Sequence, residues 1–212
     1  MAALTETVTT TIGLDIGQRR DSTAIIVDEH GPDDTHRVRH IERPRLGTPY
    51  PKVILRVKDI RDRITARTKS VPTIWADVTG VGRPIVDELS ARGVDVVPVT
   101  ITAGESVTRE GREWHIGKLA LVGRLEVLLS AGRVEWNGST TEGKALTNEL
   151  HRFALKVSQA GSLSLEAESG AHDDLVIALA LAVFEAPRFV GVASVDLGDE
   201  RFVDFPIWQR WP

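Results

Sequence analysis

Residues Thr11–Glu29 read TIGLDIGQRRDSTAIIVDE. Ile12, Leu14 and Ile16 alternate with Thr11, Gly13 and Asp15, the period of a half-buried strand. Ala24, Ile25, Ile26 and Val27 form a continuous apolar run of the kind a central strand carries. Gly17 and the polar QRRDS between them supply a turn. The stretch is therefore a hairpin whose first strand holds an acid, Asp15, among apolar neighbours. A carboxylate there is costly unless hydrogen bonds or a cation compensate it. Two readings of Asp15 stay open: a strand-end cap or ion pair with Arg19 or Arg20, or a ligand at an active site.

Working outward, HGPDDT (His30–Thr35) is a turn, and His36–Ile41 returns as a third antiparallel strand. Arg43–Pro51 is a loop by its prolines and glycine. Lys52–Arg67 is an amphipathic helix with Val53, Val57, Ile60 and Ile64 on one stripe. TIWADV (Thr73–Val78) is a strand containing Asp77, followed by the turn TGVGRP. Pro84 suits the first turn of the next helix, IVDELSAR, and Gly93 suits its end. Val94–Thr100 is apolar again, so residues 72–100 form a strand–helix–strand unit with parallel pairing.

Ala103–Glu113 is polar and is expected to be a mobile loop. Helices are expected over His115–Ala131, with Leu121, Leu125 and Leu128 on one stripe, and over Thr141–Lys156. Arg133–Trp136 is short and extended, and Ser162–Glu168 alternates like a strand. A final helix, Leu175–Ala186, is nearly all apolar and so expected to be buried. Asp173 and Asp174 open it, with His172 before them. The expected fold is α/β, a central mixed sheet with an antiparallel three-stranded meander followed by parallel strands, and helices on both faces. Residues 1–10 are expected to be flexible, 11–186 to form the domain, and 187–212, with Trp208 and Trp211, to be a tail.

The bulk composition narrows the class. The chain has 212 residues, 42% hydrophobic and 26% charged, enough to bury a sizeable core. No apolar run reaches membrane-spanning length, and the N-terminus lacks the pattern of a signal peptide; a cytoplasmic location and no membrane partner are expected. There are no cysteines, which excludes disulfides, thiolate metal sites and a cysteine nucleophile. The net charge is -4, yet residues 36–69 carry eleven Lys/Arg against three Asp/Glu. Such a segment is either a solvated helix face or a local phosphate-binding face on an acidic protein.

Asp15, Asp77, Asp173 and Asp174 all sit at element ends, where an α/β sheet usually carries function. Each has a plainer explanation. Asp77 can be a turn former, Asp173 or Asp174 a helix cap, and His172 a hydrogen-bonded histidine. Placed together, four carboxylates stay ionised only around cations. Oxygen ligands favour Mg²⁺ or Mn²⁺ over zinc, and two such ions suit phosphodiester hydrolysis.

The segments GLDIGQRRDSTAIIV, IWADVTGVGRPIVDEL and GAHDDLVIALALA resemble the three acidic motifs of the nuclease domain of the terminase large subunit of tailed phages. GKLALVGRLEVLLSAGRVEW and ALTNELHRF resemble its helical segment in order and spacing. The resemblance covers about residues 11–186. It implies an RNase H-like fold related to RuvC-type resolvases, with two Mg²⁺ or Mn²⁺ ions held by Asp15, Asp77 and the acid pair. Asp173 is the first choice for the third ligand and Asp174 the close second. It also implies endonuclease activity on double-stranded DNA, cutting concatemeric viral DNA during packaging in the bacterial host cytoplasm. A separate packaging ATPase, a small terminase subunit and a portal are the implied partners.

One departure is clear: no GxxxxGK[ST] loop exists. Gly117-Lys118 is followed by Leu119, and Arg112 stands where the first glycine belongs. Fragment, split gene and stand-alone nuclease remain open. Phosphate contacts are expected from Arg19, Arg20, Lys118, the basic helix with Arg56, Arg63 and Arg67, and the loop with Arg109 and Arg112. The competing readings are a Holliday-junction resolvase and a non-catalytic DNA- or partner-binding module.

Overall fold

The computed structural model describes residues 8–17, 21–159 and 173–184, of which 154–159 are described as helix backbone. The expected strand at Ser162–Glu168, residues Arg19, Arg20 and His172, and the tail lie outside the described residues.

The quoted stretch forms β1 (Thr9–Asp15) and β2 (Ala24–His30), antiparallel, with Asp15 opposite Ala24. β3 (His36–Glu42) completes the meander. After α1 (Tyr50–Thr68), β4 (Thr73–Asp77) pairs with β1 in parallel, Gly13 opposite Trp75 and Leu14 opposite Ala76. Helix α2 (Gly82–Ala91) leads to β5 (Val97–Thr102), parallel to β4. The remaining elements are β6 (Val107–Glu110), β7 (Glu113–Gly117), α3 (Lys118–Ser130), β8 (Val134–Glu135), α4 (Thr141–Gln159) and α5 (Asp174–Ala182). Among the described residues, eight strands form one sheet in the order β6-β7-β5-β4-β1-β2-β3-β8. Among the described residues, no helix is long and apolar enough to cross a membrane.

The strands divide their side chains between two cores because successive residues face opposite sides. Ile12, Leu14, Ile16, Ile25, Ile74 and Ala76 pack with Val53, Val57, Ile60 and Ile64 of α1 and Ile85 and Leu89 of α2. Ala24, Ile26 and Trp75 face the other side, with Leu121, Leu125 and Leu128 of α3, Leu146 of α4 and the whole of α5. Helix α5 lies on β1, β2 and β4 and is covered in turn by α3 and α4. Every residue from Asp174 to Phe184 is buried, which is why this helix is apolar all round.

Three expectations change. The loop expected over Ala103–Glu113 contains strand β6, and the helix expected from His115 begins three residues later, at Lys118. Residues 113–116 alternate, with Trp114 and Ile116 buried and Glu113 and His115 half-buried; this strand period outweighs the local helical pattern. β6 pairs with β7 as a hairpin closed by Gly111 at φ 58°. Strand β5 also starts at Val97 rather than Val94, although Val94 and Val96 are buried before it.

Candidate active site

The same alternation that buries Ile12 and Leu14 beneath α1 turns Gly13 and Asp15 towards α5. In β4, Asp77 shares the side of Trp75. The parallel register ends at Leu14–Ala76, so Asp15 and Asp77 are the next residues of adjacent strands, at the same edge of the sheet and on the same face.

Gly13 sets how close α5 comes. A Cβ there would overlap the carbonyl oxygen of Ala178 and lie 2.7 Å from the nitrogen of Ala182. Any side chain at 13 would lift the helix off the strand. Asp174 lies four residues, one turn, before Ala178, roughly 6 Å along the helix axis. Asp15 lies two residues beyond Gly13, roughly 6.6 Å along the strand. The glycine contact thereby brings the start of α5 level with the end of β1.

The electrostatics agree with that placement. Burial raises the Asp15 carboxyl well above its ordinary range, and the charges of Asp77, Asp174 and Asp173 raise it further, while Lys118 opposes them. Asp77 is also raised, chiefly by burial, with hydrogen bonds from Thr79 and the charge of Lys118 acting the other way. The backbone N–H of Thr79 donates to Asp77 Oδ1 at 2.7 Å, and the Thr79 hydroxyl accepts from Ile101 N at 3.0 Å. The turn after β4 thus tethers Asp77 to β5. Lys118, the first residue of α3, donates from Nζ to Asp173 Oδ2 at 3.1 Å and lies 5.9 Å from the Phe153 ring centroid.

The structure therefore brings Asp15, Asp77, Asp173, Asp174 and Lys118 to one place. Among the described residues, no group of three or more His, Cys, Asp or Glu side chains stands as a ready-made ligand set. The donor chemistry nevertheless fits a hard divalent cation. All four acids offer oxygen, and Lys118 sets an ammonium against Asp15, Asp77 and Asp173.

Among the described residues, the other basic candidates lie elsewhere. Arg56, Arg63 and Arg67 are on α1, across the sheet, and are committed to acids: Arg56 to Glu42 and Asp59, Arg63 to Asp59, Arg67 to Glu29. Arg112 pairs with Asp95 on the surface. Arg109, on the exposed β6, donates to Gly111 O at 2.9 Å and stacks 5.5 Å from the Trp114 ring centroid.

Gly17, read from the sequence as a turn residue, follows β1. A Cβ there would overlap the Asp21 carbonyl oxygen, so the glycine is required by the turn's own backbone. Its N–H donates to Thr23 Oγ1 at 3.3 Å and its carbonyl accepts from Tyr50 at 3.3 Å. In the sequence Gly13 stands only as a polar-side residue of the strand; a glycine on the same strand face as an acid is the available signal of close approach.

The mixed sheet, in which an antiparallel meander continues into parallel strands with helices on both faces, is the RNase H-like fold that the resemblance implies. No family model matches the chain. It is 26% identical over 190 residues to the large terminase subunit of Thermus phage G20c, an alignment covering 90% of this chain and 34% of that protein. The chain thus spans about a third of the length of the curated relatives it matches. Among solved structures it is similar to the large terminase nuclease from thermophilic phage G20c, with a TM-score of 0.58, 25% identity, and 82% and 81% of the two chains covered. It shares its fold with the human cytomegalovirus terminase nuclease domain, with a TM-score of 0.55, 11% identity, and 86% and 85% covered. A manganese-soaked form of that domain aligns with a TM-score of 0.52, 12% identity and the same coverage. The resemblance to terminase nuclease domains, read first from three acidic segments, holds across sequence relatives and fold.

Proposed function

We propose that this chain is a divalent-metal-dependent endonuclease that hydrolyses double-stranded DNA, serving to cut concatemeric phage DNA during genome packaging in the host cytoplasm. The observation that carries the reading is the convergence of four carboxylates at the ends of β1, β4 and the start of α5, in a chain similar to terminase nucleases. A packaging ATPase, a small terminase subunit and a portal are the partners we assign to it, the ATPase on a separate segment or chain.

Asp15, Asp77, Asp173 and Asp174 would hold two Mg²⁺ or Mn²⁺ ions, with Asp173 the first choice and Asp174 the second for the third acidic position. Bound there, such ions supply a water of lowered pKa and charge stabilisation at the leaving oxygen. The residues of the chain do the rest. Asp15 and Asp77 present carboxylates from a rigid parallel strand pair, and Thr79 fixes the orientation of Asp77. Lys118 neutralises part of the acid cluster in the free protein and, when the Lys118–Asp173 pair opens, offers an ammonium to a DNA phosphate. Arg109 on the β6–β7 hairpin, and Arg19 and Arg20 after β1, are further phosphate contacts on this reading. Such contacts position the backbone without reading sequence.

The test is plasmid cleavage across divalent metals, with Asp15→Asn as control and four-way junctions beside linear DNA. Cleavage in Mn²⁺ or Mg²⁺ that is lost in the variant is expected. Robust cleavage in EDTA would sink the metal role, and strong junction preference would replace this reading with the resolvase one.

A further inference from the structure

Helix α5 begins without a cap of its own. Asp173 is its N-cap residue yet makes no side-chain cap hydrogen bond. An aspartate at that position ordinarily accepts from the N–H two or three residues on. Here its Oδ2 accepts from Lys118 instead. The N–H that Asp173 leaves unserved, that of Leu175, donates to Glu149 Oε2 at 3.0 Å, across 26 residues of sequence. Glu149 comes from α4, is 6% exposed, and its Oε1 accepts from Arg43, the residue directly after β3.

We infer that Glu149 is a positioning residue for the acids at the start of α5, an inference that rests on the nuclease reading of the site. Its carboxylate supplies from outside the helix the acceptor that the first turn requires. Asp173 is thereby released from capping and keeps its oxygens for the carboxylate cluster. A negative group at a helix N-terminus is favourable, and Arg43 balances its charge, so that a buried fifth acid does not add to the repulsion around Asp15. Arg43 also ties the bridge to the meander that carries Asp15. The chain Arg43–Glu149–Leu175 N–H holds the end of β3 and the start of α5 in register. Glu149 touches no reacting atom; it acts through where Asp173 and Asp174 stand.

The test compares wild type with Glu149→Met, which keeps bulk and removes the acceptor, and Glu149→Gln, which keeps an acceptor oxygen. Three readouts are taken: Mn²⁺ affinity by calorimetry, amide hydrogen exchange over residues 174–177, and kcat and KM on plasmid DNA. For Glu149→Met we expect faster exchange, Mn²⁺ affinity down about tenfold and kcat down about 10- to 100-fold with KM unchanged, as for a small misplacement of reacting groups. Glu149→Gln has one acceptor oxygen for two donors, so it can keep the Leu175 cap but not the link to Arg43 as well, and it should fall between wild type and Glu149→Met in all three readouts. Should Glu149→Met fail to fold, Arg43→Met, which leaves the acceptor but unhooks it from β3, should show the same changes at smaller size. Unchanged exchange in a folded variant would overturn the bridge. Faster exchange with Mn²⁺ affinity and kcat unchanged would reduce Glu149 to a helix cap and overturn the positioning role. Wild-type protein that neither binds Mn²⁺ nor cuts DNA would overturn the nuclease reading, and this role with it.

Discussion

The two faces of the sheet are built from the same strands and do opposite things. Beneath α1 and α2, β1 presents Ile12, Leu14 and Ile16 and β4 presents Ile74 and Ala76, a dry aliphatic layer. Beneath α5, the same two strands present Gly13, Asp15, Trp75 and Asp77. The first face is ordinary packing, where each fully buried aliphatic side chain contributes about 1.5–3 kcal/mol. The second gives up packing volume at Gly13 and accepts like charges at its edge. The arginines follow the same division. Arg56, Arg63 and Arg67 of α1 form ion pairs with Glu29, Glu42 and Asp59, whereas Lys118 reaches into the acids. A single alternating strand therefore carries stability on one side and chemistry on the other.

The sharpest way to break this contrast is at Asp15. Asp15→Asn should reduce plasmid cleavage by at least about 10³-fold, the scale of losing a group that acts electrostatically at the reacting centre. An equally aliphatic change on the opposite side, Leu14→Ala, should instead cost about 2–5 kcal/mol of stability while leaving kcat of the folded fraction within a few-fold. Cleavage rates and chemical denaturation on both variants check the pair.

Gly13→Ala comes next. The methyl must displace the α5 backbone, not a flexible side chain, so a loss of stability of about 1–3 kcal/mol is expected from overpacking. Cleavage should fall further than stability explains, because the helix that moves carries Asp173 and Asp174. Wild-type cleavage by a folded Gly13→Ala protein would contradict the close approach.

Stability against pH in metal-free buffer gives a third test. Asp15 and Asp77 are held above their ordinary values when folded, so the folded chain binds protons more tightly than the unfolded one there. Their contribution is present at low pH and is lost as pH rises from about 4, the unfolded carboxyl value, through the raised folded values. Asp15→Asn should flatten that decline, and Mn²⁺ should restore stability to wild type at neutral pH but less so to the variant. Thermal melts across pH with and without Mn²⁺ decide this; a wild-type melting curve indifferent to Mn²⁺ would count against the cation site.

The smallest effect concerns the basic helix. Replacing Arg56, Arg63 and Arg67 together by Gln should change DNA affinity and its salt dependence by less than about twofold, because these side chains face acids on the sheet's other layer. A drop of about three in the slope of log affinity against log salt, one per lost phosphate contact, would make α1 a DNA surface and erase the contrast between the faces.

How much of this was legible in the chain depends on the range of the forces involved. The meander, the parallel unit, the buried final helix and the acids at element ends follow from alternation, turn residues and helical stripes, all read within a few neighbouring residues. The β6–β7 hairpin was only partly legible: residues 113–116 alternate, but β6 lies in a polar segment, and the pairing of β6 with β7 and of β7 with β5 is a contact between strands. The same holds for the charge balance. The sequence shows a basic run over residues 36–69 and the i,i+4 spacing of Asp59 and Arg63, but only the folded chain decides that Arg56 meets Glu42 and Arg67 meets Glu29. It also decides that an isolated Lys118 meets Asp173 and that Glu149 caps a helix 26 residues away. Local pattern determines which residues form strands, helices and their apolar faces, because those rules act through the backbone's own periodicity. Which charges become neighbours is set by packing, because electrostatic partners meet through space, at distances the order of the chain does not encode.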